Sequence, residues 1–521
     1  LFIAGQRVEG KPAEKPDPQW WSLQPLKTVA APLMLAGGRN ELDAFLAARF
    51  HPGRETFSQE APREVLLRRA SFDLTGLPPS PDELAAFEKS TETDAYEMEV
   101  ERLLASPGYG EKWARHWLDI ARYGESDGFE FDKPRPEAWR YRDWVIRALN
   151  ADISYRDFAL KQIAGDVLEP DRADSVTAAS FLVCGPYDDT NRITQSENLR
   201  NVMRQDELED IVGTTGQVFL GLTLHCARCH DHKFDPVSAR EYYQLASCFA
   251  GVDRGNRDLP GGKGAVFTVL PKEAPVVHLL DRGSPLKPGE AVRPGGIAAL
   301  AGVPADFKLP ENAPEADRRR ALAQWIANPD NPLFARTIVN RVWYWHFGRG
   351  LVATPSDLGK NGGHPSHPEL LDWLAVWFRD HGWSLKKLHR LILTSAAWRR
   401  SSAGTGSTAH YARMDRRRLT AEELRDAILA AAGVLNSSPG GPPFQDFRME
   451  NKFNTMHYHP EDRDSAEVNR RSIYRMWARG ASQPLLNAFD CPDASVSTPV
   501  RSATTTPLNA LTLLNSRFTF T

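Results

Sequence analysis

The chain has 521 residues, a formal net charge of −3, and 41% hydrophobic against 25% charged residues. That length exceeds what one compact core ordinarily holds and predicts two or three domains. The balanced charge argues against a nucleic-acid partner, and no apolar run is long enough to span a bilayer.

Residues 1–36 are Pro-rich (KPAEKPDPQWWSLQPLK over 11–27) and predict an extended N-terminal arm. A helical domain is expected over 37–250. Apolar residues recur there at three- and four-residue spacing in 41–50, 62–72, 81–87, 93–105, 110–123, 136–150, 156–164, 196–217 and 238–249. Ser80 stands as an N-cap after the turn TGLPPS. Residues 251–315 are rich in Gly and Pro and predict a linker with short strands at 265–270 and 275–280. A second helical domain follows over 316–521, with helices at 317–327, 332–347, 367–380, 384–397 and 420–434, a long polar loop at 437–470 and a last helix near 507–516. Thr420 and Glu423 have the spacing of a capping box. The predicted fold class is therefore mainly α: two helical domains joined by a short Gly/Pro-rich segment with minor β. The opening at Leu1, without Met or a signal-like segment, reads as a processed or trimmed chain, so it says nothing about location.

The segment LHCARCHDHKFDP, residues 224–236, carries the chemistry. Two thiols two residues apart with His immediately after them suit attachment of one haem c through Cys226 and Cys229, with His230 as an iron ligand. Zinc would need two further ligands at suitable spacing, and no second Cys pair exists. A thiol redox pair belongs between a strand and a helix, whereas this region predicts helix. His232 cannot reach the opposite haem face, so it is expected to bind a propionate or orient the loop. His116, in WARHWLD between Trp113 and Trp117, is the leading candidate for the sixth iron position. Met203, Met476, His457 and His459 are others. Trp113 and Trp117 are either walls of the haem pocket or buried anchors of the helical core. Cys184, Cys248 and Cys491 leave open one disulfide with a spare thiol, or three buried thiols.

Around this motif the text RRASFDLTGLPPSPDEL (68–84), SPGYGEKWARHWLDIARYGESDGFE (106–130) and AWRYRDWVIRALNADISYRDF (138–158) resembles the planctomycete cytochrome c-like family. FARTIVNRVWYWHFGRGLVATPSDLG (334–359), HPSHPELLDWLA (364–375), RLTAEELRDAIL (418–429) and RSATTTPLNALTLLN (501–515) resemble the partner domain regularly fused after it. The resemblance covers nearly the whole chain. It implies a periplasmic or secreted haem c protein, and it supports His116 as an iron ligand or haem-pocket residue. Similar proteins often carry a small N-terminal cytochrome domain and a carbohydrate-binding-like insertion, neither of which is seen in this sequence. They abound in bacteria that degrade sulfated polysaccharides, which is an association and not a mechanism.

Other clusters add candidates. ESDGFEFD (125–132) packs four carboxylates into eight residues, which predicts a Ca2+ site, an acid/base pair of Asp127 and Glu130 facing the haem edge, or a salt-bridged loop. Asp188, Asp189 and Asn191 form a second oxygen-rich loop. His457 and His459 sit in MHYHPEDRD, a connection of the kind that carries catalytic groups. Arg336, Arg341, Trp343, Trp345 and His346 suit either an anionic sugar or internal ion pairs. A single haem needs far fewer residues than this chain offers, so the leading expectation is an oxidoreductase. Its substrate would be a polysaccharide or oligosaccharide held in a cleft between the two domains. The alternatives are an electron-transfer module with a redox partner protein, and a non-redox carbohydrate-binding or structural protein.

Overall fold

The computed structural model describes residues 17–34, 37–50, 56–403, 406–461, 463 and 465–520, so much of the predicted arm lies outside the described residues. The protein is mainly α, with three small two-stranded antiparallel sheets. The first half is built from helices Glu41–Ala47, Arg63–Thr75, Pro81–Lys89, Ala95–Ala105, Pro107–Ile120, Trp139–Asn150, Tyr155–Leu168, Ala173–Ala178, Glu197–Thr215 and Ala239–Ser247, with a short one at Thr190–Ile193. Their ends follow local chemistry. Ser80, Ser106, Ser154, Ser196 and Ser238 each accept a backbone N–H of the first turn, satisfying donors that a helix start leaves unpaired.

The 251–315 segment holds two hairpins, Val252–Asp258 with Ala265–Pro271 and Val277–Leu280 with Pro288–Val292. Beyond it, helices Glu315–Ile326, Pro332–Phe347, Pro368–Asp380, Leu385–Leu393, Ala396–Arg399, Ala421–Ala431, Pro484–Ala488, Pro507–Asn515 and Arg517–Phe520 make the second half. The expected loop at 437–470 instead contains a third hairpin, Phe447–Lys452 with Thr455–Pro460.

The halves do not keep separate cores. One contiguous apolar cluster runs from Leu23 to Phe489, and Tyr155 stacks on Phe334 across the division at 5.0 Å. Buried polar side chains join the halves as well. The Arg319 guanidinium pairs with Asp166 at 2.8 Å, and Arg336 donates to the Ser22 and Gln24 carbonyls at 3.0 and 2.7 Å. Arg341 donates to the Gln217 and Val218 carbonyls, both at 2.5 Å. These contacts assign Arg336 and Arg341 to internal bonding, the second of their two expected roles. Trp343 is likewise fully buried, between Phe347 and Tyr411. The tail of the arm lies along the second half, with the Trp20 and Trp21 indoles donating to the Leu358 and Gly363 carbonyls at 2.9 and 3.0 Å.

Candidate functional site

The Cys motif hangs from the end of helix Glu197–Thr215, which runs into a π-helical turn, Gly216–Leu220. Gly221 at φ +60° reverses the chain, and His225–Arg228 forms a 3₁₀ turn lying back against that helix. Glycine makes the approach feasible: a Cβ on Gly213 would overlap the His225 ring, and one on Gly216 would overlap Leu224. Arg228 fixes the turn by pairing with Asp206 at 2.7 Å and with Glu209, while Tyr243 donates its hydroxyl to the Arg228 carbonyl at 2.9 Å.

On this turn Cys226 and Cys229 are free and exposed. His230 is exposed too, and its Nδ1 lies 2.7 Å from the Asp231 carbonyl. With that nitrogen donating, Nε2 is left open as a ligand atom. Two accessible thiols and a free imidazole nitrogen on one short turn fit thioether attachment and ligation from one side. His232 is different. It is buried, and its Nδ1 accepts the Asp235 N–H at 2.8 Å, while Asp235 accepts the Lys360 N–H from the second half at 2.8 Å. Its role is to orient the loop.

The acidic loop does not converge on a cation. Asp127 pairs with Arg135 at 2.7 Å, Asp132 accepts the Gly128 and Gly480 N–H groups at 2.6 and 2.8 Å, and Glu130 is exposed. Asp189 of the second oxygen-rich loop pairs with Lys133 at 2.5 Å. Among the described residues no group of three or more His, Cys, Asp or Glu side chains is arranged to hold a metal ion. The pairing of Asp127 with Arg135 follows the salt-bridged reading of 125–132, one of the three expected for it. His457 and His459 lie on the third hairpin, which docks on this loop through the Tyr458 hydroxyl and the Asp132 carbonyl at 2.6 Å and through the Met456 N–H and the Phe131 carbonyl at 3.0 Å. Tyr458 points inward, so period-2 alternation turns both histidines outward, where His459 meets Glu450 at 3.1 Å. Asp127 and Glu130 thus sit on the loop against which the hairpin of His457 and His459 docks.

A cleft of about 800 Å³ lies elsewhere, between helices Arg63–Thr75 and Pro107–Ile120 of the first half and residues 344–348, 414–423 and 489–505 of the second. Trp113 and His116 stand in its wall with Trp345, and the His116 ring stacks on Trp345 at 4.7 Å and 18°. None of residues 224–236 contributes to it. His116 and the Cys motif therefore do not share this cleft. Trp113 and Trp117 part company as well. Four residues on and about 40° further round the helix, Trp117 has its indole donating to Gln162 at 2.8 Å among Phe158, Phe181 and Phe219. It is a buried anchor.

Residues 41–254 match the family described as PSCyt2, protein of unknown function (DUF1549), and residues 318–521 match PSD1, protein of unknown function (DUF1553). The chain pairs a PSCyt2 region with a PSD1 region. Comparison with curated proteins and with solved structures finds no match. The Cys motif falls in the PSCyt2 region, and the cleft takes one wall from each region.

Sequence reasoning named His346 but missed the chain of polar groups that runs through it from the cleft wall into the core. Arg417 pairs with Asp73 at 2.6 Å, Asp73 meets His346 Nδ1 at 3.3 Å, and His346 Nε2 lies 2.9 Å from His389 Nδ1. Asp73 is half-buried in the cleft wall, and the Arg417 charge and the His346 hydrogen bond outweigh its desolvation and hold its carboxyl down at about 2. Burial lowers the pKa of His346 and takes that of His389 well below its ordinary value, favouring the uncharged form of both rings. Burial also holds His116 well below its ordinary value, helped by the charges of Lys112 and Arg501. These residues come from five separate stretches, and no spacing rule links them.

Proposed function

We propose that the protein is an extracytoplasmic, periplasmic or secreted monohaem c-type oxidoreductase acting on a carbohydrate held in the cleft between its PSCyt2 and PSD1 regions. The observation supporting this reading is the cleft itself. Its volume is in the range of small-molecule sites, and it combines aromatic faces with charged groups, as sugar sites do. When bound, a haem c supplies a one-electron acceptor. Cys226 and Cys229 would hold it through thioethers and His230 through Nε2. Because the motif lines none of the cleft, this proposal makes the haem an outlet for electrons, while the chain's cleft residues bind and orient the sugar.

The test is haem reduction, followed by absorbance, on adding oligosaccharides to the oxidised protein. The proposal expects reduction by at least one carbohydrate, and loss of it in Trp345→Ala with the covalent haem retained. No reduction by any carbohydrate refutes it. One observation favours a second reading, an electron-transfer module: the whole Cys226–His230 turn is exposed except Ala227 and Arg228, which suits docking of a redox partner protein. That reading expects rapid electron exchange with a small cytochrome and indifference to sugars.

A further inference from the structure

The cleft carries an uncompensated positive charge. Seven cationic side chains line it against five carboxylates. Four of the cations are matched within it: Lys112 with Glu423 at 2.6 Å, Arg417 with Asp73 at 2.6 Å, Arg418 with Asp490 at 2.5 Å and Arg501 with Asp119 at 2.7 Å. Those pairs use every carboxylate except Asp415. Arg68, Arg69 and Arg416 remain, and among the described residues no carboxylate pairs with them. Arg69 spends its guanidinium on the Trp398 and Arg400 carbonyls at 2.7 and 3.1 Å. Arg68 and Arg416 are exposed at the mouth, with Arg68 resting on the Phe72 ring. A guanidinium free of a protein partner is suited to pair a ligand oxyanion through two parallel hydrogen bonds.

His116 stands in the same wall, half-buried. Neither of its ring nitrogens has a hydrogen-bond partner among the described residues, which is unusual for an imidazole held this firmly. The groups facing it are Lys112 and Arg115 from its own helix, Arg501 from the C-terminal segment, and His346 with Trp345 from helix Pro332–Phe347. Asp119, Glu422 and Glu423 line the same cavities, and each is already taken by one of these cations: Asp119 by Arg115 and by Arg501 at 2.7 Å, Glu422 by Arg501 at 2.6 Å and Glu423 by Lys112 at 2.6 Å. An anion entering the cleft therefore lowers the cost of a proton on His116.

We infer that the cleft binds an anionic oligosaccharide, with Arg68 and Arg416 pairing its acidic groups and His116 taking up a proton as the ligand settles. This rests on the reading of the cleft as the carbohydrate site. It requires no redox step, since one proton passes from solvent to the imidazole.

The experiment is titration calorimetry on the full chain with oligogalacturonate and with neutral maltohexaose, each in two buffers of different ionisation enthalpy. The inference expects oligogalacturonate to bind about tenfold or more tighter than maltohexaose, the preference falling with salt. Arg68→Gln with Arg416→Gln, both surface changes, should remove it. Binding of oligogalacturonate near pH 6 should take up a proton, and His116→Gln should abolish that uptake while still binding. If both sugars bind equally and Trp345→Ala weakens both, the cleft is the sugar site and the anionic preference is wrong. Proton uptake unchanged in His116→Gln overturns the role given to that residue. If neither sugar binds, or Trp345→Ala affects neither, the cleft reading fails and takes the inference with it.

Discussion

Glu125 offers a sharp test of how burial controls charge near the loop that follows the His116 helix. It is 1% exposed, fixed by its N–H donating to the Trp477 carbonyl and by its carbonyl accepting the Arg135 N–H, both at 2.8 Å. Its nearest cation is Arg142, at 3.8 Å, too far for a hydrogen bond, and Glu125 Oε1 and Arg142 Nη1 both lack a partner. Arg142 sits closer to Asp143, at 2.8 Å. Burial therefore outweighs the Arg142 charge and raises the carboxyl from 4.5 to about 7. The folded chain keeps this proton over a range where the unfolded chain has lost it. The group's contribution is fully present below pH 4.5 and is lost as pH rises through 7. At about 1.4 kcal/mol per pH unit, roughly 3 kcal/mol has gone by pH 8. Glu125→Gln removes the ionisable group at nearly the same volume. Its stability relative to the parent should therefore improve by about 2–3 kcal/mol between pH 5 and pH 8. Urea unfolding followed by tryptophan fluorescence at both pH values measures this. An equal difference at the two pH values would refute the reasoning, because the buried carboxyl would then not be titrating between them.

Three further outcomes are expected. Gly110→Ala, in the helix that carries His116, places a Cβ 2.5 Å from the Ile146 carbonyl oxygen and the Asn150 side chain. It should cost about 1–3 kcal/mol in urea unfolding. The neutral rings of His116, His346, His389 and His367, the last held at about 4 mainly by burial, cause the fold to bind fewer protons than the unfolded chain below pH 6.5. Stability should fall as pH drops from 6.5 toward 4, by up to about 1.4 kcal/mol per pH unit for each ring; a flat profile there would contradict their neutrality. In protein made without haem attachment, a maleimide should label Cys226 and Cys229 and spare Cys184, Cys248 and Cys491 until unfolding. Burial pushes the Cys184 and Cys248 thiols up to about 12 and that of Cys491 higher still.

The helices were largely legible because their boundaries are local. Helix Pro332–Phe347 has the predicted limits, set by the Asn331 cap, proline at its first position and Gly348 at φ +73°. The run expected over 384–397 breaks instead at Ser395, whose side chain accepts the Trp398 N–H and starts a new helix. The hairpin at 447–460 escaped notice because its strands are mostly polar. Only Phe447 and Tyr458 pack inward, and Phe453 and Asn454 turn the chain at positive φ. The Cys motif was readable since its chemistry lies within five residues. A cleft between the halves was expected, but its lining was not readable, because its walls are assembled from stretches hundreds of residues apart. Sequence placed an aromatic neighbourhood around His116, yet the ring that matters is Trp345, brought by the other half, and not Trp117.

The central claim is that Cys226, Cys229 and His230 carry a covalent haem. The most direct measurement is the intact mass of the denatured chain after expression in a host that matures c-type cytochromes, read with its haem absorbance in alkaline pyridine. The account predicts one haem per chain, lost in the double variant Cys226→Ala, Cys229→Ala and kept in His230→Ala. A chain at its unmodified mass, without haem absorbance, would contradict it.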